Sequence, residues 1–265
     1  MSAPTETKAK GDRGQKTGIY LYGILPGDVE LTSEVRGVGK PPGKVRLVRS
    51  EDLATLVSEV DVSKPLGTPE DCLAHEEIVD STATGSPVLP IRFGAVLTNE
   101  DAVVDELLKP HRDEFVKALQ ELEGRIQYVV RGRYVERFIL TEILSENRKA
   151  AKLWEQIRGT DPDATRGLRI RLGEIINNAI EAKRQADTRR LLSRMAGHCV
   201  SSSVRKPTHE LDAAYIAFLV DTSKADELQH TVRDLRKEWQ GRVEFRVRGP
   251  MAPWDFADRT KETQG

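Results

Sequence analysis

The side chains best suited to metal or nucleophilic chemistry are five histidines (His75, His111, His198, His209, His230) and two cysteines (Cys72, Cys199). Cys72-x-x-His75 has the spacing of half a zinc site, and His198-Cys199 would have to supply the other half. Read on a strand, residues 198 and 199 point to opposite faces and cannot easily share one ion, so no metal and no cofactor are expected. On the apolar helix face that it shares with Cys72, Val79 and Ala83, His75 reads as a core histidine bonded to backbone. No His-Glu-x-x-His helix and no Gly-x-Ser-x-Gly elbow occur. The Gly37–Lys44 stretch has the glycines of a phosphate loop, but its spacing is wrong and no Ser or Thr follows Lys44. Pro41 and Pro42 also remove two amides from the supposed cradle, so the stretch reads as a connecting loop. Carboxylates are scattered at helix starts and exposed faces, where capping accounts for them. No catalytic residue is assigned.

Nucleic-acid binding would draw on Tyr128 and Tyr134 with Arg125, Arg131, Arg133 and Arg137. Against it stand 41 basic and 42 acidic residues, a net charge of −1, and no Gly-Phe-type aromatic signature. The basic positions Lys183, Arg184, Arg189, Arg190 and Arg194 on one predicted helix read as a solvated face. Two cysteines make no disulfide framework, and no segment has the order of a signal peptide. The longest apolar run, Ala213–Val220, is far short of the ~20 residues that span a bilayer. These features predict a soluble cytoplasmic protein without membrane or nucleic-acid partners.

The densest apolar run of the first half is Pro87–Leu97, with Arg92 as its single charge. Its six large apolar side chains would each gain about 1.5–3 kcal/mol on full burial, which predicts an interior strand. Helices over Glu70–Ala83 and Asp101–Leu122 would sandwich it, the first capped by Thr68 and the second broken at Lys109-Pro110. The inward stripe of the second is Val104, Leu108, Phe115, Leu119 and Leu122. Strands are expected at Ile19–Leu25, Val45–Arg49 and Leu53–Val60, the last two as a hairpin.

Beyond Gly124 the pattern reads strand (Arg125–Arg131), one amphipathic helix through Leu140–Ile157, and a long helix from Leu168 to Ala196. Strands at Cys199–Lys206 and Ala213–Asp221 follow, then a helix capped by Ser223, then a strand at Val243–Arg248. That order is the strand–helix–strand–strand–helix–strand of a ferredoxin-like layer with an additional long helix or helical hairpin. The fold class is therefore α+β in two domains. A disordered tail covers residues 1–17, an N-terminal α+β sheet domain 18–123, the ferredoxin-like domain 124–249, and a C-terminal segment 250–265. The two prolines of that last segment predict an extended path with no ladder role, while Trp254 and Phe256 are too apolar to dangle.

Four stretches resemble the gas vesicle accessory protein F/L family. They are Tyr20-Leu-Tyr-Gly-Ile24, Leu53–Val60, His75 through Val88-Leu-Pro-Ile-Arg-Phe-Gly94, and Gly249-Pro-x-x-Pro-Trp-x-Phe256. Their order and spacing match over residues 18–256, with Ala252, Trp254 and Asp255 standing where proline, tyrosine and serine are usual. The resemblance implies a non-enzymatic assembly protein of gas vesicles, the hollow protein-walled organelles of buoyancy. Its implied partners are the hydrophobic shell protein and other gas vesicle accessory proteins, and its place is cytoplasmic and vesicle-associated. A shell subunit exposes apolar surface before it polymerises, and a monomeric soluble partner could cover it. Arg92, Phe93, Trp254 and Phe256 are the expected partner-binding residues, in a groove between the domains. The alternative is an RNA- or small-ligand-binding ferredoxin-like module.

Overall fold

Strand β1, Thr17–Pro26, is buried at every residue from Gly18 to Leu25 except for its ends, so an alternating Tyr-Leu-Tyr pattern is covered on both faces. The computed structural model describes residues 16–31 and 35–257. The expected tail at 1–17 lies outside these apart from Lys16 and Thr17, and Thr17 already opens β1. The chain divides into two units: residues up to Val79 with Pro90–Lys117, and Asp80–Leu89 with Ala118 onward.

In the first unit β2 (Arg46–Ser50) and β3 (Leu53–Asp61) form the expected antiparallel hairpin, and β3 pairs with β1. Helix α1, Pro69–Ala83, starts as predicted: the Asp71 amide donates to the Thr68 hydroxyl, which donates back to the Asp71 carboxylate. The Pro87–Leu97 run is not one interior strand. It makes two short strands, β4 (Leu89–Pro90) and β5 (Val96–Leu97), on either side of a turn that exposes Arg92. Only Val88 and Leu89 are fully buried, because Pro90 and Gly94 (φ +94°) break the ladder between them. The sheet order is β2-β3-β1-β4, with β5 also on β1.

Helix α2 begins at Glu100, where the Asn99 side chain accepts the Ala102 amide at 2.8 Å, and runs to Ala102. It continues as a π turn over Val103–Leu108, and α3 takes up Arg112–Leu122 after the expected break at Pro110. The wider π turn shifts the buried position from Val104 to Val103, five residues before Leu108.

The second unit holds β6 (Arg125–Tyr134), α4 (Glu136–Glu146), α5 (Arg148–Ile157), α6 (Arg166–Met195), β7 (Ser201–Val204), β8 (Asp212–Asp221), α7 (Ala225–Glu238) and β9 (Val243–Met251). The sheet order β7-β8-β6-β9, antiparallel throughout, is the ferredoxin-like arrangement with a helical insertion. The predicted single helix at 140–157 is two, because Asn147 is extended: it closes α4 and caps α5 by accepting from the Lys149 and Ala150 amides. Ser223 caps nothing; it sits in a 3₁₀ turn before α7. Gly249 and Pro250 do not end the ladder either, since a register shift lets Met251 pair with Gln127.

Ile126, Tyr128, Val130, Phe218 and Phe245 face α4, α6 and α7 across the main core. An ionic cluster borders it. The Tyr134 hydroxyl donates to Asp187 (2.6 Å), Arg242 bridges Asp187 and Glu142 (both 2.8 Å), and Lys183 meets Glu142 and Glu146. Of the basic face of α6, Lys183 and Arg184 are thus half-buried and bound into the unit, while Arg189, Arg190 and Arg194 stay exposed. Arg184 donates to the Asp212 and Glu210 carbonyls, and Arg190 and Arg194 pair with Glu238.

Candidate functional site

The four residues singled out as partner-binding fall on two segments, one in each unit. Arg92 and Phe93 belong to the turn Ile91–Gly94 of the first unit, which a line of hydrogen bonds holds against β1 and α1. The Gly94 amide donates to the Tyr20 hydroxyl at 3.1 Å, and that hydroxyl is 3.0 Å from His75 Nδ1. His75 Nε2 lies 3.0 Å from the Ile91 carbonyl, which can only accept, so the proton of that nitrogen points there and Nδ1 is left to accept from Tyr20. Burial pushes the Tyr20 phenol up, which keeps it a donor. His75 is therefore the core histidine the sequence implied, at 2% exposure. Phe93 stands edge-on to both Tyr20 and His75, half-buried, and Arg92 is exposed at the tip. A second line runs beside the first: Tyr22 shares a 2.8 Å bond with Ser58 and accepts the Val38 amide.

Trp254 and Phe256 belong to the closing segment of the second unit. Asp80 Oδ1 accepts both the Ala252 amide and the Trp254 indole N–H at 2.9 Å. Asp255 and Gln127 bond reciprocally, Gln127 Nε2 to the carboxylate at 2.7 Å and the Asp255 amide to Gln127 Oε1 at 3.0 Å. Arg205 forks onto the same carboxylate. So anchored, Phe256 is buried and walls a cleft of about 170 Å³ with Leu89, Leu122, Val200, Leu219 and Arg125. That volume suits one apolar side chain and falls below the ~300 Å³ at which small-molecule sites begin. A wider depression of about 530 Å³ beside Arg184 and His209 is polar, and its arginine already serves Glu181 and the backbone.

Among the described residues no group of three or more His, Cys, Asp or Glu is placed to hold a metal. His198 and Cys199 lie in the turn after α6 rather than on a strand; His198 meets Glu227, and burial pushes the Cys199 thiol up. Tyr128 and Tyr134 are core residues and offer no stacking surface to a base. No described helix is long and apolar enough to cross a membrane.

The family described as gas vesicle synthesis protein GvpL/GvpF matches residues 18–258. The chain belongs to this family. It is 29% identical to gas vesicle protein F of Streptomyces sp. (strain CB03234) over 243 residues, covering 90% of this chain and 99% of the relative. Gas vesicle protein F of Dolichospermum flosaquae is 24% identical over 90% of this chain and 97% of its own length. Gas vesicle protein L of the same Streptomyces strain is 25% identical over 92% and 94%. In fold the chain matches the crystal structure of GvpF from Anabaena sp. PCC7120 with a TM-score of 0.76, at 22% identity, over 91% of this chain and 98% of that one. GvpF from Microcystis aeruginosa gives 0.74 at 19% identity, over 91% and 99%.

The sequence names Phe256 of this GvpL/GvpF chain, and the cleft that it walls is visible only in the structure. Leu122 was read only as part of a helix stripe, and Leu219 only as part of a buried strand. Val200, inside the expected strand 199–206, is 43% exposed beside them, and nothing in the sequence distinguishes it from its neighbours.

Proposed function

We propose that this chain is a non-enzymatic assembly factor of gas vesicles. It binds the hydrophobic shell protein before that protein polymerises, and it meets other accessory proteins, as a soluble monomer. The observation that carries the reading is the apolar cleft walled by Phe256, Leu122 and Leu219, one side chain in size and open at Val200. An aggregation-prone subunit is kept in solution when a soluble partner takes its exposed apolar groups, and a cleft of this size takes one anchor residue. Trp254 holds the closing segment that walls the cleft, while Arg92 and Phe93 offer a second, polar-aromatic contact on the first unit.

The test is co-expression with the small shell protein. The wild-type chain keeps the shell protein in the soluble fraction and elutes with it. Val200→Glu places a charge at the cleft mouth without emptying the core; it melts as wild type does and leaves the shell protein in the pellet. Shell protein that pellets beside the wild-type chain overturns the reading, and equal rescue by Val200→Glu removes the cleft from it. Arg92→Glu with Phe93→Ser asks the same of the turn.

A further inference from the structure

The helical insertion of the second unit has a small core of its own. Ala150 and Ile157 of α5 are buried with Leu172 of α6, and Leu153 and Leu168 pack beside them. That side of α5 is thereby used. The rest of its circumference carries Arg148, Lys149, Lys152 and Arg158, and the start of α6 adds Arg166 and Arg171, all six exposed. From Arg148 to Arg171 seven basic residues stand against three acidic ones, a surplus of four on a chain whose net charge is −1. Among the described residues none of the six forms an ion pair, not even with Glu155, three residues from both Lys152 and Arg158. Lys183, Arg190, Arg194 and Arg242 of the same unit each meet a carboxylate.

These charges also work against the helices that carry them. Neither α5 nor α6 has an acid in its first turn; Arg148 and Lys149 open the one and Arg166 the other. The positive end of a helix dipole favours acids there, and Arg148 and Lys152, four residues apart, repel along one side of α5. A placement that opposes the fold without compensation inside it points outside the chain. Beside the charges stands Trp154, 46% exposed, its indole N–H without a hydrogen-bond partner among the described residues. Ala151 and Arg158, three and four residues away, share its side of the helix, so the ring has a small neighbour before it and a guanidinium after it.

We infer that the outer surface of α5 docks an acidic segment of a partner protein, one that sets a large apolar side chain among its carboxylates. The carboxylates meet Arg148, Lys152 and Arg158, and the apolar side chain meets Trp154. Charge complementarity draws such a segment in, and an exposed tryptophan ringed by arginine is the composition on which protein contacts concentrate their energy. RNA is the poorer fit, since single strands stack successive bases on several rings and α5 offers one. A membrane surface is poorer too: a helix lying in the interface buries a whole apolar face, and the apolar face of α5 is already spent on α6.

The probe is a fluorescein-labelled peptide, three repeats of Glu-Glu-Leu-Glu, titrated into the full chain at low salt and read by anisotropy. The reference ligands are the same repeat with serine for leucine, an oligouridine of equal length, and vesicles of phosphatidylcholine with phosphatidylserine. The wild-type chain binds the leucine peptide most tightly of the four. Arg148→Glu with Lys152→Glu weakens it by about tenfold, as two exposed attractions turned into repulsions would. Lys206→Glu with Lys224→Glu, exposed lysines of the same unit and an equal change of net charge, leaves it within about twofold. Trp154→Ser weakens the leucine peptide by about tenfold and the serine peptide by less than about twofold. No binding by the wild type, equal losses in the two charge variants, an equal effect of Trp154→Ser on both peptides, or tighter binding of oligouridine or vesicles would each overturn the inference. Far-ultraviolet circular dichroism shows that the variants are folded, and the charge reversal, which changes exposed side chains alone, tests the surface even where Trp154→Ser does not fold. None of these residues lines the cleft walled by Phe256, so the outcome is independent of whether the shell protein binds there.

Discussion

Both units bury polar side chains, and they do so with opposite chemistry. In the first unit the interior lines run through hydroxyls, amides and an imidazole: Gly94, Tyr20, His75 and Ile91 in one, Val38, Tyr22 and Ser58 in the other. Its buried charge is Asp71, which caps α1 and accepts the Gly39 amide. In the second unit the lines are ionic, through Asp187, Arg242, Glu142 and Lys183, and through Arg131 with Asp212. Neutral bonds contribute about 0.5–1.5 kcal/mol each, and they fix a short turn well. The ion pairs tie whole elements together, as Arg242 after α7 and Glu142 on α4 are tied, 100 residues apart in the chain. Their weakness is that losing one member strands the other.

All three tryptophans (Trp154, Trp239, Trp254) lie in the second unit, so their fluorescence follows that unit alone. The largest effect is expected from Arg242→Met, which leaves Asp187 uncompensated at 9% side-chain exposure. The cost is about 3–5 kcal/mol, and the urea midpoint of tryptophan fluorescence drops accordingly. A midpoint within experimental error of wild type would erase the contrast between the units.

Acidification comes next. Burial alone would raise Asp212 and Glu142, but Arg131 with the Thr208 amide, and Arg242 with Lys183, more than offset it, so both carboxyls titrate below their ordinary values of 3.8 and 4.5. A carboxyl lowered on folding stabilises the fold above its ordinary value and ceases to do so as pH falls through the lower folded value. The tryptophan-reported melting temperature is therefore flat from neutrality to about pH 5 and falls below about pH 4. Asp212→Asn removes part of that slope; an unchanged slope would assign the acid sensitivity elsewhere.

The smallest of the three is Tyr20→Phe. It takes the donor from His75 Nδ1 and the acceptor from the Gly94 amide, costing about 1–3 kcal/mol. Circular dichroism shows an earlier loss of structure while the tryptophan transition stays in place. If both probes shift together, the two units unfold as one.

Local signals carried much of the fold. The Thr68 cap and the breaks at Pro110 and Gly124 depend on neighbours within four residues, and each appears where the residues predict it. Continuous apolar runs marked β1, β3 and β8 for the same reason: a strand covered on both faces has no polar alternation to confuse it. Asn147 misled because it is a helix cap in the middle of an unbroken apolar stripe, and period alone does not report an extended backbone at one residue. The π turn at Val103–Leu108 misled likewise, since its pitch is not that of the stripe being counted.

The amino-acid sequence by itself determined the α+β class, the order of the strands in the second unit, the membership implied by Val88–Gly94 and Gly249–Phe256, and the core role of His75. Tertiary structure alone decided that Arg92 is exposed, that Phe256 walls a cleft with Leu122 and Leu219, and that β9 continues past Pro250. It alone set Arg246 opposite Arg131, and Arg131 opposite Tyr215, across β9, β6 and β8. The physical reason is separation. Caps and periodicity are energies of contiguous residues, whereas a row across neighbouring strands depends on register, and one slip of register moves every side chain to the other face.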